Sequence, residues 1–179
     1  KTRMQHRLDL VDLNYIFMPW ISETFKNDYL DDEENRNAIL RYNYENLFIV
    51  KQGYSLVYNS QGDAGPNASY GKNATAIRFN LETAGNLFYG LSNLFRASRD
   101  NSGQFTLFNI AYAQYVKGDL DFSRSFKFDE RNSLAIHAAL GISYPYGNST
   151  ILPYEKRYFS GGANSVRGWN VRGLGPGTY

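Results

Sequence analysis

The sequence predicts an all-β fold, an antiparallel transmembrane β-barrel present here as an incomplete portion of about seven strands and a following loop. Apolar and polar residues alternate with a period of two in several runs, which is typical of strands with one dry and one wet face. These runs are mostly longer than the roughly 5–6 residues of globular strands and approach the ~9–11 that cross a bilayer. The 179 residues include 15 tyrosines, 12 phenylalanines and two tryptophans, yet the mean hydropathy is −0.49. Strands that present rings to lipid and charges to a wet lumen account for that combination.

The alternation is clearest in three segments, 75–83, 119–128 and 133–144. In each, large apolar residues occupy one face and charged or small residues occupy the other, for example Arg78 and Asp121. Such a polar face suits a water-filled lumen as well as bulk solvent. We treat residues 1–179 as one partial barrel domain. Its predicted strands span 5–18, 46–58, 73–85, 103–117, 119–129, 132–144 and 151–159, and the loop spans 160–179.

The connections between the predicted strands differ in length. Residues 19–45 and 86–102 are long, whereas 117–119 and 144–148 resemble tight turns. Outer-membrane barrels have long loops outside and short turns in the periplasm, so we expect the same arrangement here. Two connections fit less well: 59–71 is long where a short turn is expected, and 130–132 is short where a long loop is expected.

Composition argues against several classes of protein. The formal net charge of +2 is unlike that of a polybasic nucleic-acid binder, and the lack of cysteine excludes disulfide scaffolds and thiol catalysis. His6 and His137 are far apart, and the chain has no nucleophile elbow, zinc-protease motif or Walker A loop. We therefore expect no enzymatic activity, no cofactor, no metal site and no nucleic-acid partner.

The stretch 155–177 is the most informative part of the sequence. Six glycines between 161 and 177 permit positive φ angles and close packing. Arg167 and Arg172 lie among them, and a guanidinium held inside a lumen needs a carboxylate or several carbonyls as partners. Spacing alone leaves open the alternative of a mobile surface loop with solvated arginines.

Two adjacent motifs carry a family resemblance. Residues 157–162 (R-Y-F-S-G-G) and 165–169 (S-V-R-G-W) resemble the signature of the BamA/TamA outer-membrane assembly superfamily, the bacterial surface-antigen family. Residues 171–179 look most like its TamL-type lipoprotein branch, as do 115–122 and 145–149.

The resemblance implies a role for the loop. In the family this loop is the sixth extracellular one and folds back into a barrel of about sixteen strands, where its arginine pairs with an acidic residue of the lumen wall. Arg167 would take that role, with Val166, Gly168 and Trp169 shaping the tip. Gly161, Gly162, Arg172 and Gly173 would serve as loop hinge and packing residues. We expect the acidic partner of Arg167, the periplasmic POTRA domains and the first strands to lie outside this chain.

The resemblance also implies a function. It predicts a bacterial outer-membrane protein that folds, inserts or exports outer-membrane or surface proteins. The expected partners are outer-membrane lipids, unfolded outer-membrane client proteins and a periplasm-spanning TamB-like protein. Two alternatives remain open at this stage: a two-partner-secretion transporter or passive channel, and a soluble antiparallel sandwich with a binding surface.

Overall fold

Seven strands form one sheet in the computed structural model, which describes residues 3–18, 20–30, 42–61, 73–94, 99, 103–107, 110–163 and 165–173. The strands are β1 (Met4–Ile16), β2 (Leu47–Asn59), β3 (Ala74–Ala84), β4 (Thr106–Leu107), β5 (Ile110–Tyr112), β6 (Tyr115–Lys127) and β7 (Ser133–Pro145). The helical segments are α1 (Glu23–Phe25) with a π-helical turn (Lys26–Leu30), α2 (Asn86–Leu94) and a 3₁₀ turn (Tyr154–Lys156). Within the described residues, no helix is both long and apolar enough to cross a membrane.

Five long strands pair in the order β1-β2-β3-β6-β7, and every one of these pairings is antiparallel. The short β4–β5 hairpin pairs with the start of β2 beyond the end of β3, where Leu47 lies opposite Ala111. The predicted fold class is confirmed: the chain is an all-β, antiparallel portion of a barrel.

The register gives the sheet a polar face and an apolar face. Arg78 lies opposite Asp121, and Glu82 lies opposite Lys117, so these four residues share the polar face. The apolar face is exposed, for example at Ile142, which is 65% accessible. Its exposed members include Leu8, Leu13, Leu81, Leu120, Leu134, Ile136, Leu140, Ile142 and Tyr144. An exposed apolar surface of this extent marks a site of contact with lipid or protein.

A β-bulge preserves the two faces in β1, where the alternation of the sequence is interrupted. Asp9 pairs with Gly53 and Asp12 with Lys51, so β1 has one residue more than β2 in this interval. Leu10 and Val11 occupy the extra step and are both exposed. Both aspartates therefore remain on the polar face.

The predicted turn at 117–119 and the predicted strand at 103–117 are wrong. β6 runs without interruption through Gly118, which pairs with both Leu81 and Ile142. Charged residues on both sides of a glycine are typical of a turn, but here Lys117 and Asp119 lie on the polar face of a strand and Gly118 lies on its apolar face. The segment 103–117 instead contains β4, β5 and the start of β6, separated by a break at Gln114.

The predicted strand at 151–159 is also wrong, since residues 154–156 form a 3₁₀ turn. Pro153 precedes that turn, and proline cannot donate to a strand ladder. The turn at 146–148 follows the end of β7. It therefore lies at the same edge of the sheet as the long connections, not at the opposite edge as predicted.

The two edges of the sheet now have distinct connections. β1, β3 and β7 end, and β2 and β6 begin, at one edge of the sheet, which we call the loop edge. β2 and β6 end, and β3 and β7 begin, at the other, the turn edge. Because 117–119 is not a turn, the short connection 128–132 lies at the edge where a short turn is expected. The connection 60–73 remains long for that edge.

Candidate functional site

The polar face carries a row of paired charges near the loop edge. Asp12 Oδ2 lies 3.1 Å from Lys51 Nζ, and Glu82 Oε2 lies 3.5 Å from the same ammonium. Nearer the turn edge, His137 Nε2 is 2.8 Å from Asp121 Oδ1. Antiparallel register places these side chains at adjacent positions on one face, where the Lys51 ammonium attracts the two carboxylates. A polar face of this kind fits the wall of a water-filled interior.

The segment after β7 folds back from the loop edge over this polar face. Leu152 is 8% exposed and Pro153 is fully buried. Leu152 belongs to a core cluster that also contains Leu47, Ile49, Ala84, Ala113 and Tyr115. This cluster is a hydrophobic core of the described residues, and it lies between the folded-back segment and the ends of β2, β3 and β6 at the loop edge, from which that segment folds back. Residues 152–158, which we call the stem, are therefore anchored to the sheet at Leu152 and Pro153.

The stem also makes polar contacts with the sheet. Lys156 Nζ lies 2.8 Å from Glu82 Oε1. The Tyr158 hydroxyl donates to the Asp119 carboxylate and to the Gly118 carbonyl oxygen, the latter at 3.1 Å. Partial burial and the hydrogen bond to Asp119 raise the pKa of the Tyr158 phenol. It therefore remains a hydrogen-bond donor at physiological pH.

The motif lies at the tip of a narrow hairpin formed by residues 160–173. The Arg172 N–H donates to the Ser160 carbonyl at 3.1 Å, and the Gly162 N–H donates to the Trp169 carbonyl at 2.8 Å. A turn closes the tip, because the Trp169 N–H donates to the Val166 carbonyl at 3.1 Å. The four predicted tip residues, Val166, Arg167, Gly168 and Trp169, are thus brought together in one turn. Asn164 and residues 174–179, which complete the predicted loop, lie outside the described residues.

Glycine is required at two positions in this hairpin. Gly161 and Gly162 have φ angles of +99° and +91°, a region that side chains disfavour. A Cβ on Gly161 would collide with the Asn170 carbonyl, and one on Gly162 would lie 2.9 Å from a methyl group of Val171. At Gly173 a Cβ would lie 3.1 Å from the Asn170 carbonyl oxygen.

The two predicted arginines have different surroundings. Arg172 Nη1 donates to the Tyr154 carbonyl at 3.1 Å, and its guanidinium lies 3.7 Å from the centre of the Tyr154 ring. It therefore ties the hairpin to the stem. Arg167 is exposed at the tip, and its Nε donates to the Ala163 carbonyl at 3.2 Å. The pairing of Arg167 with an acidic residue stays a prediction.

A buried polar cluster at the loop edge was not foreseen from the sequence. Asn148 Oδ1 accepts from the Phe105 N–H at 2.6 Å, and Asn148 Nδ2 donates to the carbonyls of Phe105 and Tyr112, each at 3.0 Å. Gln114 Oε1 accepts from the Asn148 N–H, and the Gln114 N–H donates to Ser149 Oγ, both at 2.8 Å. The cluster joins the β4–β5 hairpin to the start of the folded-back segment. Its sequence signal was Asn148, which lies in the predicted tight turn at 144–148 and in the segment 145–149 that carries part of the resemblance.

The fold and site together define a portion of an antiparallel β-barrel with the segment after its last strand folded onto its polar face. The chain belongs to the Omp85 superfamily, because the Omp85 superfamily domain matches residues 12–179. Members of this superfamily are outer-membrane proteins that serve in outer-membrane protein assembly or secretion. No curated protein and no solved structure matches the chain significantly.

Proposed function

We propose that this chain forms part of the barrel of an integral protein of the bacterial outer membrane that folds, inserts or exports outer-membrane and surface proteins. The observation that carries the proposal is a stem packed on the polar face of a sheet whose opposite face is apolar and exposed, with the motif hairpin tied to that stem through Arg172. That arrangement gives the barrel wall one surface for lipid and another that supports the loop from inside.

The proposal assigns partners by chemistry. The apolar face contacts outer-membrane lipids, and unfolded client proteins are the substrates. No covalent bond is made or broken, since the work is the lowering of a barrier to strand insertion. The motif resemblance supports a TamL-type lipoprotein with a TamB-like partner across the periplasm.

Within this proposal Arg167 braces the loop against an acidic residue of the lumen wall. Its position at the tip of the hairpin, 3.2 Å from a backbone carbonyl and exposed to its surroundings, leaves the fork of the guanidinium available for such a partner. A bidentate arginine–carboxylate pair would fix the orientation of the tip as well as its charge.

The experiment replaces Arg167 with alanine in the full-length protein, in a strain that depends on it. Arg131→Ala is the matched control, because Arg131 is an exposed arginine in the connection at the turn edge. We expect Arg167→Ala to lower the levels of many outer-membrane proteins and Arg131→Ala to leave them unchanged. Normal levels in both variants would contradict the proposal. Loss of a single secreted protein with normal assembly would identify a two-partner-secretion transporter instead.

A further inference from the structure

The stem is held on the sheet by two sets of contacts that do not involve the motif tip. One set is ionic and centres on Glu82 of β3. The other is aromatic and centres on Gly141 of β7. The two centres lie on different strands, so together they fix both the position and the direction of the stem.

The ionic contact uses a carboxylate that the sheet already holds in place. The Tyr115 hydroxyl donates to Glu82 Oε1 at 2.6 Å, and Lys51 approaches Oε2 at 3.5 Å. Tyr115 is fully buried, so this orientation of the carboxylate is fixed by packing. Lys156 from the stem adds the third partner at 2.8 Å, and only 16% of its side chain is exposed. Because the Glu82 carboxylate is half-buried and charged, the Lys156 ammonium is a more favourable partner for it than water.

The aromatic contact depends on a missing side chain. The Tyr158 ring lies over Gly141, where a Cβ would come within 2.5 Å of the ring carbons. Its hydroxyl donates to Gly118 and Asp119 of the neighbouring strand. The Lys117 ammonium lies 4.2 Å from the centre of the same ring, an arrangement that favours cation–π attraction. Any side chain at position 141 would displace the ring and with it the stem.

We infer that Glu82 and Gly141 form a two-point receptor on the sheet for Lys156 and Tyr158, and that this receptor positions the motif hairpin. The link to the hairpin is Arg172, which contacts Tyr154 in the stem. The importance of this positioning rests on the proposed function, because the assembly role requires a correctly placed motif tip. Glu82, Gly141, Lys156 and Tyr158 are positioning residues.

The test is limited tryptic digestion of the full-length protein in lipid vesicles, with cleavage after Lys156 and Arg157 identified by mass spectrometry. Gly141→Ala should accelerate this cleavage by on the order of tenfold, because local opening governs proteolysis when reclosing is fast. Gly53→Ala is the matched control, since Gly53 is also a glycine within a long strand and a Cβ there would make only ordinary contacts, the nearest at 3.7 Å with Asp9. Heat-dependent mobility on gels verifies that each barrel is folded.

Equal cleavage rates in folded Gly141→Ala and Gly53→Ala would overturn the inference. If Gly141→Ala fails to fold, Tyr158→Phe and Glu82→Gln replace it, and each should raise cleavage at the stem. Wild-type rates in both would also overturn it. The digestion requires only a folded barrel, so a result that overturns this inference would not contradict the proposed function. Conversely, normal outer-membrane protein levels in Arg167→Ala would contradict the proposed function and not the role of Glu82 and Gly141.

Discussion

Replacing Asn148 with alanine should loosen the loop edge while leaving the strands in place. The Asn148 side chain makes three hydrogen bonds to backbone groups of Phe105 and Tyr112, and the residue is only 4% exposed. Alanine would leave those backbone groups without these partners in a buried environment. Each such loss costs on the order of 1 kcal/mol, so the free energy of unfolding should fall by about 2–4 kcal/mol.

The assay is urea unfolding of the full-length protein in lipid vesicles, followed by tryptophan fluorescence and gel mobility. Asn132→Ala is the control, because Asn132 is exposed in the connection at the turn edge and its side chain makes a single 3.3 Å contact with Asp129. A change below about 0.5 kcal/mol is expected there, as for most surface substitutions. Equal losses in the two variants would refute the view that Asn148 joins the β4–β5 hairpin to the folded-back segment.

Two further predictions test the backbone and the faces of the sheet. Gly85→Ala should destabilise the protein, because φ at this residue is +77° and the new Cβ would strike the Ala113 carbonyl. Gly90→Ala in α2 is the control: its Cβ would meet nothing within 4 Å, so the substitution should be neutral or stabilising. Equal unfolding midpoints of the two variants in urea would contradict this prediction. On β7, Leu140→Arg should lower stability in vesicles by about 2–4 kcal/mol and Ala139→Arg by much less, since only the former places a charge in lipid. The same urea assay measures both, and similar losses would contradict the assignment of the faces.

Alternation predicted the long strands well because it is a direct consequence of a sheet with one apolar face and one polar face. The strands β1, β2, β3 and β7 begin and end within two residues of the predicted ones. Gly118 shows where such reasoning fails: a glycine between charged residues has the local composition of a turn. Its ladder partners on β3 and β7 come from distant parts of the chain, and these keep β6 continuous.

The place of the motif loop in the chain was predictable from the sequence, whereas the contacts that hold the stem on the sheet were not. Val166, Arg167, Gly168 and Trp169 were placed together by motif, and the structure closes them into one turn. The pairing of Lys156 with Glu82 could not be read from the sequence, because it requires the wrongly predicted strand at 151–159 to fold back as a stem. The same holds for Gly141, whose lack of a side chain matters only once Tyr158 lies above it.

The proposed function requires one face of the sheet to meet lipid and the other face to line an aqueous interior. The most direct test is a cysteine scan of β7 in the full-length protein, from 134 to 143, since the described chain has no native cysteine to interfere. Spin labels at even positions should be accessible to oxygen in the bilayer, and labels at odd positions should be accessible to a water-soluble relaxation agent. Gly141 is left unlabelled, because a side chain there would displace Tyr158. Access of the aqueous agent to even and odd positions alike would contradict the account.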